Sequence, residues 1–119
     1  MPRIRKDGKK VINSRAKGAD FERKIANILK EHGWDARRGQ QFSGGSGSPD
    51  VVHSIPDAHF ELKAVENLNL YAAMEQASKD AGPLKSPIVI HKKNKKPILV
   101  TMGLEDYLKL VEKAHIGDL

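Results

Sequence analysis

Three ionisable residues in the middle of the chain have the types and spacing needed for metal-assisted phosphate chemistry. Asp50 follows a proline, ten residues separate it from Glu61, and Lys63 comes two residues later. Hydrolysis of a phosphodiester needs charge neutralisation on the phosphate and hydroxide near neutral pH, and Mg²⁺ held by carboxylates supplies both. Asp50 and Glu61 are therefore candidate metal ligands, with the main-chain carbonyl of Leu62 as a further oxygen donor. Lys63 would place a cation beside them, to orient water or stabilise the transition state.

The pattern around Glu61 predicts that a β-strand positions these groups. Side chains alternate between the two faces of a strand, so a strand over residues 59–65 points Glu61 and Lys63 to one face. Phe60 and Leu62 then point to the other face, where a helix can bury them. The sequence thus predicts one face for packing and one for chemistry, and His59 shares the second face.

A second acid is predicted on a helix upstream. Residues 19–32 form an amphipathic pattern that ends at Gly33, a common helix stop. Glu22 falls within the arc of the apolar stripe, which consists of Phe21, Ile25, Ile28 and Leu29. An acid in that arc is a candidate wall of the same site.

The remaining patterns predict an α/β (α+β) domain with the element order αβββαββα. Further strands are expected over residues 34–42, 51–55, 88–91 and 97–102, and further helices over residues 67–82 and from Leu104 onward. Residues 43–48 contain only glycine and serine and predict a mobile loop. We expect residues 1–17 to form a flexible basic arm and residues 18–119 to form a single domain.

The composition favours a polyanionic partner. The chain has 21 Lys and Arg against 15 Asp and Glu, a formal charge of +6 and a pI near 9.6. Seven of the cations precede residue 18: Arg3, Arg5, Lys6, Lys9, Lys10, Arg15 and Lys17. Because there is no cysteine, disulfides, thiolate zinc sites and cysteine nucleophiles are excluded. The pattern predicts neither a secretory signal nor a membrane partner, so we expect a cytoplasmic protein, and no motif indicates an organic cofactor.

Taken together, Glu22, Pro49-Asp50, Glu61-Leu62-Lys63 and Gln76 resemble the PD-(D/E)xK nuclease superfamily. Within it, the chain is most similar to the archaeal and phage type of Holliday junction resolvase, from about residue 18 to residue 113. The resemblance implies a restriction-endonuclease-like fold, with a central mixed sheet flanked by helices. It also implies an active site in which Gln76 supports four residues: Glu22, Asp50, Glu61 and Lys63.

The same resemblance implies cofactor and partners. It implies dependence on Mg²⁺, with Mn²⁺ as a substitute, and a homodimer, phage-encoded in a bacterial host, that cuts symmetric strands of a four-way DNA junction. Ser46 or Ser48 would lie on a loop near the scissile strand. From this and the charge pattern, the expected DNA-binding residues are Arg15, Lys17, Arg23, Arg37, Arg38, Ser46, Ser48, Lys92 and Lys93.

Plainer interpretations stay open for each residue and for the whole chain. Asp50 fits an ordinary turn acid, Glu61 and Lys63 fit a solvated ion pair on a strand, and His59 fits a residue at the rim. Glu22 and Gln76 also fit exposed positions on their helices. For the chain, the alternatives are a nicking or flap-type endonuclease of the same fold and a basic DNA-binding protein without catalysis.

Overall fold

The computed structural model describes residues 14–39 and 50–117, which form three helices and five strands. In chain order they are α1 (Ser14–Glu31), β1 (Ala36–Arg38), β2 (Val51–His53), β3 (Ala58–Lys63), α2 (Leu70–Ala81), β4 (Ser86–His91), β5 (Leu99–Met102) and α3 (Leu104–Gly117). The predicted order αβββαββα is confirmed.

The boundaries of several elements differ from the sequence prediction. Helix α1 begins at Ser14, five residues before the predicted start, so residues 14–17 are helical. The predicted start followed the onset of apolar periodicity, whereas Arg15, Ala16 and Lys17 are good helix formers and one glycine does not stop the helix. The predicted arm over residues 1–17 otherwise lies outside the described residues and stays a prediction.

Strand β1 is shorter than the predicted strand over residues 34–42. It contains only Ala36–Arg38, and residues 40–42 and the glycine-serine loop lie outside the described residues.

Helix α2 begins at Leu70 because Asn69 caps it: the Asn69 side chain accepts a hydrogen bond from the Ala72 main-chain N–H at 3.1 Å.

The described strands form two hydrogen-bonded sheets. Strands β1 and β2 pair antiparallel, with Arg38 opposite Val51. Strand β3 pairs parallel with β4, which pairs antiparallel with β5, so the larger sheet is mixed. A parallel pair needs a crossover between its strands, and α2 provides it. The architecture is a mixed α+β fold of the nuclease-like kind that the sequence predicted.

Strands β3 and β4 are covered by a helix on each face. Helix α1 packs over β1, β2 and β3, and the main core joins both sheets through Phe21, Ile25, Ala26, Ala36, Val51, Ala58, Phe60, Leu62 and Ile90. On the opposite face, Ala73 and Ala77 of α2 bury Val89 of β4 completely. Glu61 lies beside Val89 in the parallel register and therefore faces α2.

Helix α3 packs lightly on the rest of the chain. From Leu104 to Ile116, every residue except Asp106 is exposed. Six of these are large and apolar, and we call them the α3 apolar surface: Leu104, Tyr107, Leu108, Leu110, Val111 and Ile116. Within residues 14–39 and 50–117, no helix combines the length and the hydropathy that crossing a bilayer requires.

Candidate active site

Strand β3 carries the alternation that the sequence predicted. Its inward residues are buried and the residues between them are half-buried, so one face packs and the other is accessible. The buried residues are Ala58, Phe60 and Leu62, and the half-buried residues are His59, Glu61 and Lys63. The predicted division of this strand into two faces is confirmed.

Asp50 lies immediately before β2 and is tied to the middle of β3. Its carboxylate accepts a hydrogen bond from the Leu62 main-chain N–H at 3.0 Å. That N–H belongs to the residue between Glu61 and Lys63, so the bond brings Asp50 to the two residues with which it was grouped from the sequence. The charge of Asp50 is close enough to Glu61 to raise the pKa of that carboxyl.

Glu61 is the most perturbed acid of the site. Burial in the first place, and then repulsion by Asp50, raise its pKa to about 7, and a hydrogen bond with Asp80 acts in the same direction. Lys63 opposes this shift, with its Nζ atom 3.9 Å from Oε1 of Glu61. One ammonium group therefore does not balance the negative charge gathered around Glu61, and this charge imbalance fits a divalent cation.

Two further side chains approach Glu61. Nε2 of His59 lies 3.6 Å from Oε2 of Glu61, and one ligand atom each from His59, Glu61 and Asp80 lie within 4.8 Å of one another. We call these three residues the His59 cluster. Burial lowers the pKa of His59, which favours the neutral imidazole. Sequence reasoning placed His59 on this face but missed Asp80.

Gln76 reaches the site through Asp80. Its side-chain amide donates to both carboxylate oxygens of Asp80 at 3.1 Å. The two residues are one helical turn apart on α2. This spacing is the sequence signal that could have linked Asp80 to the site. Gln76, predicted to support the site, thus binds Asp80, which the prediction did not include.

Glu22 is buried, and its ion-pair partner is Arg38. Its Oε2 atom accepts a hydrogen bond from Nε of Arg38 at 2.6 Å. Arg38 precedes Gly39, whose N–H donates to the main-chain oxygen of Asp50 at 3.0 Å. The Glu22–Arg38 pair therefore lies on the Asp50 side of the site, and Arg38, predicted as a DNA contact, is engaged by this acid.

Lysines line a groove that continues from Lys63. A cavity of about 320 Å³ is bordered by Lys63 and Lys17, and a neighbouring cavity of about 220 Å³ is bordered by Lys17, Lys24, Lys92 and Lys93. We call these last four residues the lysine groove. Lys24 was not predicted, although it lies two turns after Lys17 on α1.

The other predicted DNA contacts are scattered. Arg23 is exposed and paired with Asp20 at 2.8 Å, while Arg37 lines a different cavity together with Lys30. Arg15 is exposed near the start of α1. Ser46 and Ser48 lie outside the described residues.

The divalent cation predicted between Asp50 and Glu61 stays a prediction. Asp50 and Glu61 provide carboxylate oxygens, and their mutual repulsion falls when a cation lies between them. The role of the Leu62 carbonyl as a third donor stays a prediction. Mg²⁺ retains several waters, so a site with few protein ligands suits it.

Comparison with protein families identifies a relationship consistent with this geometry. The family model described as archaeal Holliday junction resolvase (Hjc) matches residues 13–81, more than half of the chain. The match begins before Gly18 and ends with α2, so it covers less of the C-terminal part than the resemblance predicted. It includes Glu22, Asp50, Glu61 and Lys63. No curated protein matches the chain significantly. The chain belongs to the archaeal Holliday junction resolvase family, a family of PD-(D/E)xK nucleases.

Proposed function

We propose that the protein is a metal-dependent, structure-selective DNA endonuclease that resolves four-way (Holliday) junctions by phosphodiester hydrolysis. The observation that carries this proposal is the state of Glu61: burial and the neighbouring Asp50 raise its pKa to about 7, with Lys63 3.9 Å away. A carboxylate pair under such repulsion is a typical cation site. Family membership supplies the substrate class.

In this proposal, Asp50 and Glu61 hold Mg²⁺, for which Mn²⁺ substitutes, and the Leu62 carbonyl contributes a further oxygen. The ion supplies charge neutralisation at the phosphate and lowers the pKa of water. Lys63 remains near the reacting phosphate as a fixed positive charge for the transition state. Glu22 and Gln76 act at one remove, through Arg38 and Asp80 respectively.

The lysine groove is the proposed path of a DNA strand to the site. Its members converge from α1 and from the β4–β5 connection on cavities that extend to Lys63. Lysine contacts to phosphates give affinity without sequence preference, which suits an enzyme that recognises the shape of DNA. Arg15, Arg37, Ser46 and Ser48 are proposed as further contacts. A DNA substrate supports a cytoplasmic location, and the resemblance to phage enzymes extends the proposal to a phage-encoded protein.

A second copy of the chain is the proposed occupant of the α3 apolar surface. Resolution of a four-way junction needs two symmetric cuts, which a two-fold dimer supplies. Leu99 and Val100 of β5 are also exposed, by 54% and 62%, so apolar residues continue beyond α3. Leu108→Glu should convert the dimer to a monomer in sedimentation experiments, whereas Lys109→Glu on the same helix should not.

The decisive experiment compares DNA substrates and one acid variant. Wild type should cut a mobile four-way junction in Mg²⁺, should not cut it in chelator, and should leave linear duplex largely intact. Asp50→Asn should bind the junction without cutting it. Asp57→Asn is the matched control because Asp57 is exposed and paired with Lys113, remote from Glu61 in the fold.

Two outcomes would replace the proposal. Equal cutting of linear, nicked or flap substrates would favour the nicking or flap-type endonuclease. Junction binding by wild type with no cleavage in Mg²⁺ or Mn²⁺ would favour the non-catalytic DNA-binding protein.

DNA binding has a separate test in the salt dependence of affinity. The double variant Lys92→Ala/Lys93→Ala should flatten the slope of log K against log salt by roughly 2, since each lost phosphate contact contributes about 0.9. Lys79→Ala, exposed on α2, is the control. Deletion of residues 2–12 tests the basic arm and leaves α1 intact. An unchanged slope would remove that segment from the DNA interface.

A further inference from the structure

The imidazole of His59 has a polar atom that the proposed nuclease function does not use. Nε2 of His59 is fully buried and, within the described part of the chain, has no hydrogen-bond partner. Its side chain is only 12% exposed. Buried polar atoms almost always have a partner, so this nitrogen is a candidate ligand atom. The atom faces Oε2 of Glu61 at 3.6 Å.

The two oxygens of Glu61 face different surroundings. Oε1 lies 3.9 Å from the ammonium of Lys63, whereas Oε2 lies 3.6 Å from His59. Asp50 is tied to the edge of β3 through the Leu62 N–H, while Asp80 approaches from α2. Glu61 therefore lies between two sets of groups. The nuclease proposal uses Asp50 and Lys63 on one side, and the other two members of the His59 cluster lie on the other side.

We propose that His59, Glu61 and Asp80 form a second cation position, which binds a first-row transition ion such as Zn²⁺ or Mn²⁺. One imidazole nitrogen and two carboxylates are the donors that such ions accept, whereas Mg²⁺ prefers oxygen donors alone. By the usual order of affinities, Zn²⁺ binds more tightly than Mn²⁺. Water completes the coordination.

The distances are compatible with an ion of this size. Ligand atoms at about 2.1 Å from Zn²⁺ lie roughly 3.0–3.4 Å from one another. The separation between His59 and Glu61 is 3.6 Å, and all three ligand atoms lie within 4.8 Å. Asp80 is exposed, so a small rotation of its side chain closes the longest gap.

Gln76 supplies the outer support that metal-binding carboxylates usually have. It donates from its amide to both oxygens of Asp80 and so restrains the carboxylate beside His59. Gln76, attributed to the nuclease site from sequence alone, thus donates its hydrogen bonds to Asp80, a member of the His59 cluster.

The experiment measures zinc binding without DNA, by competition with a chromophoric chelator in Mg²⁺-containing buffer. Wild type should bind one Zn²⁺ that excess Mg²⁺ does not displace, and Mn²⁺ should bind the same position more weakly. His59→Gln and Asp80→Asn should each weaken zinc binding at least tenfold, since even outer-shell changes commonly cost tenfold or more. His32→Gln, exposed after α1, is the matched control and should bind as wild type does.

Nitrogen NMR of the histidine rings identifies the ligand atom. Zinc should shift the Nε2 resonance of His59 and leave that of His32 in place. Asp80→Asn keeps the test valid if His59→Gln fails to fold, because Asp80 is exposed. The proposal is overturned if wild type binds no zinc, or if both variants bind it as wild type does. Binding is read without cleavage, so failure here is distinct from failure of the nuclease proposal.

Discussion

Glu22 and Glu61 were both predicted to belong to the site, and their side chains are equally buried, with 12% exposure each. Their surroundings differ. Glu22 has the guanidinium of Arg38 at 2.6 Å, whereas Glu61 has the ammonium of Lys63 at 3.9 Å and acids on both sides. A buried acid with a close cation is already balanced, and a buried acid crowded by other acids is not. The lack of balance, rather than burial, marks where a cation is expected.

The largest effect should come from substituting the unbalanced acid. Glu61→Gln should lower the rate of junction cleavage in Mg²⁺ by at least about 10²-fold, because it removes a ligand from the charge that stabilises the transition state. Glu22→Gln should reduce cleavage less, since it acts through Arg38. Single-turnover rates on one junction measure both. Equal losses would break the comparison and place Glu22 at the reacting phosphate.

The ion pair of Glu22, the balanced acid, should instead affect folding stability. Arg38→Ala leaves the buried Glu22 charge without its partner and should lower the free energy of unfolding by about 2 kcal/mol at neutral pH. Urea unfolding measures this. Arg23→Ala is the matched control, because its pair with Asp20 is exposed and should contribute less than about 1 kcal/mol. The double variant Glu22→Gln/Arg38→Ala should recover part of the loss; no recovery would mean that the pair is not the cause.

Stability should depend on pH through Glu61 in metal-free buffer. Its pKa in the folded protein is about 7, above the ordinary 4.5, so its contribution to stability is fully present below pH 4.5 and is lost as pH rises towards 7. Glu61→Gln should therefore become more stable than wild type over this range, by about 1–2 kcal/mol after solvent screening is allowed for.

Thermal unfolding in chelator at pH 5 and pH 8 measures this difference, with exposed Glu75→Gln as control. Saturating Mg²⁺ should stabilise wild type and reverse the order, because a ligand that binds only the folded state raises its stability. An advantage of Glu61→Gln that stayed the same at both pH values would contradict the unbalanced state of Glu61.

The smallest effect on cleavage should come from substituting Gln76 on α2. Gln76→Ala removes the two contacts that restrain Asp80 and should lower cleavage by less than tenfold, because Asp80 and Gln76 are both exposed. Steady-state rates on the junction measure it, and Ser78→Ala on the same helix is the control. A loss as large as that of Glu61→Gln would show that Gln76 contacts the substrate.

The sequence revealed the local part of the site and missed the part made by long-range contacts. The alternation in β3 and the grouping of Asp50 with Glu61 and Lys63 follow from spacing and residue type, which a single segment displays. The Arg38 partner of Glu22 was not foreseen, because that pair depends on how α1 packs on β1. Asp80 was missed, because only the crossover brings α2 and its acid over Glu61.

The start of α1 shows the same limit on a smaller scale. Residues 1–17 show almost no apolar periodicity, so the helix was predicted to begin near residue 19. The helix extends back to Ser14, as residues 15–17 favour it. Local signals identified the element correctly but not its first turn.

The β3–α2–β4 unit carries His59, Glu61, Lys63 and Asp80 within one continuous stretch of chain. Residues 64–69 join the strand to the helix outside regular structure, so natural variants with insertions there should retain the arrangement. A single insertion inside α2, between Ala73 and Asp80, would instead turn Asp80 by about 100° around the helix axis and carry it out of reach. Homologous sequences that keep the interval from Ala73 to Asp80 unchanged should therefore keep the acid at position 80 beside β3. Those with an insertion in this interval should have lost it.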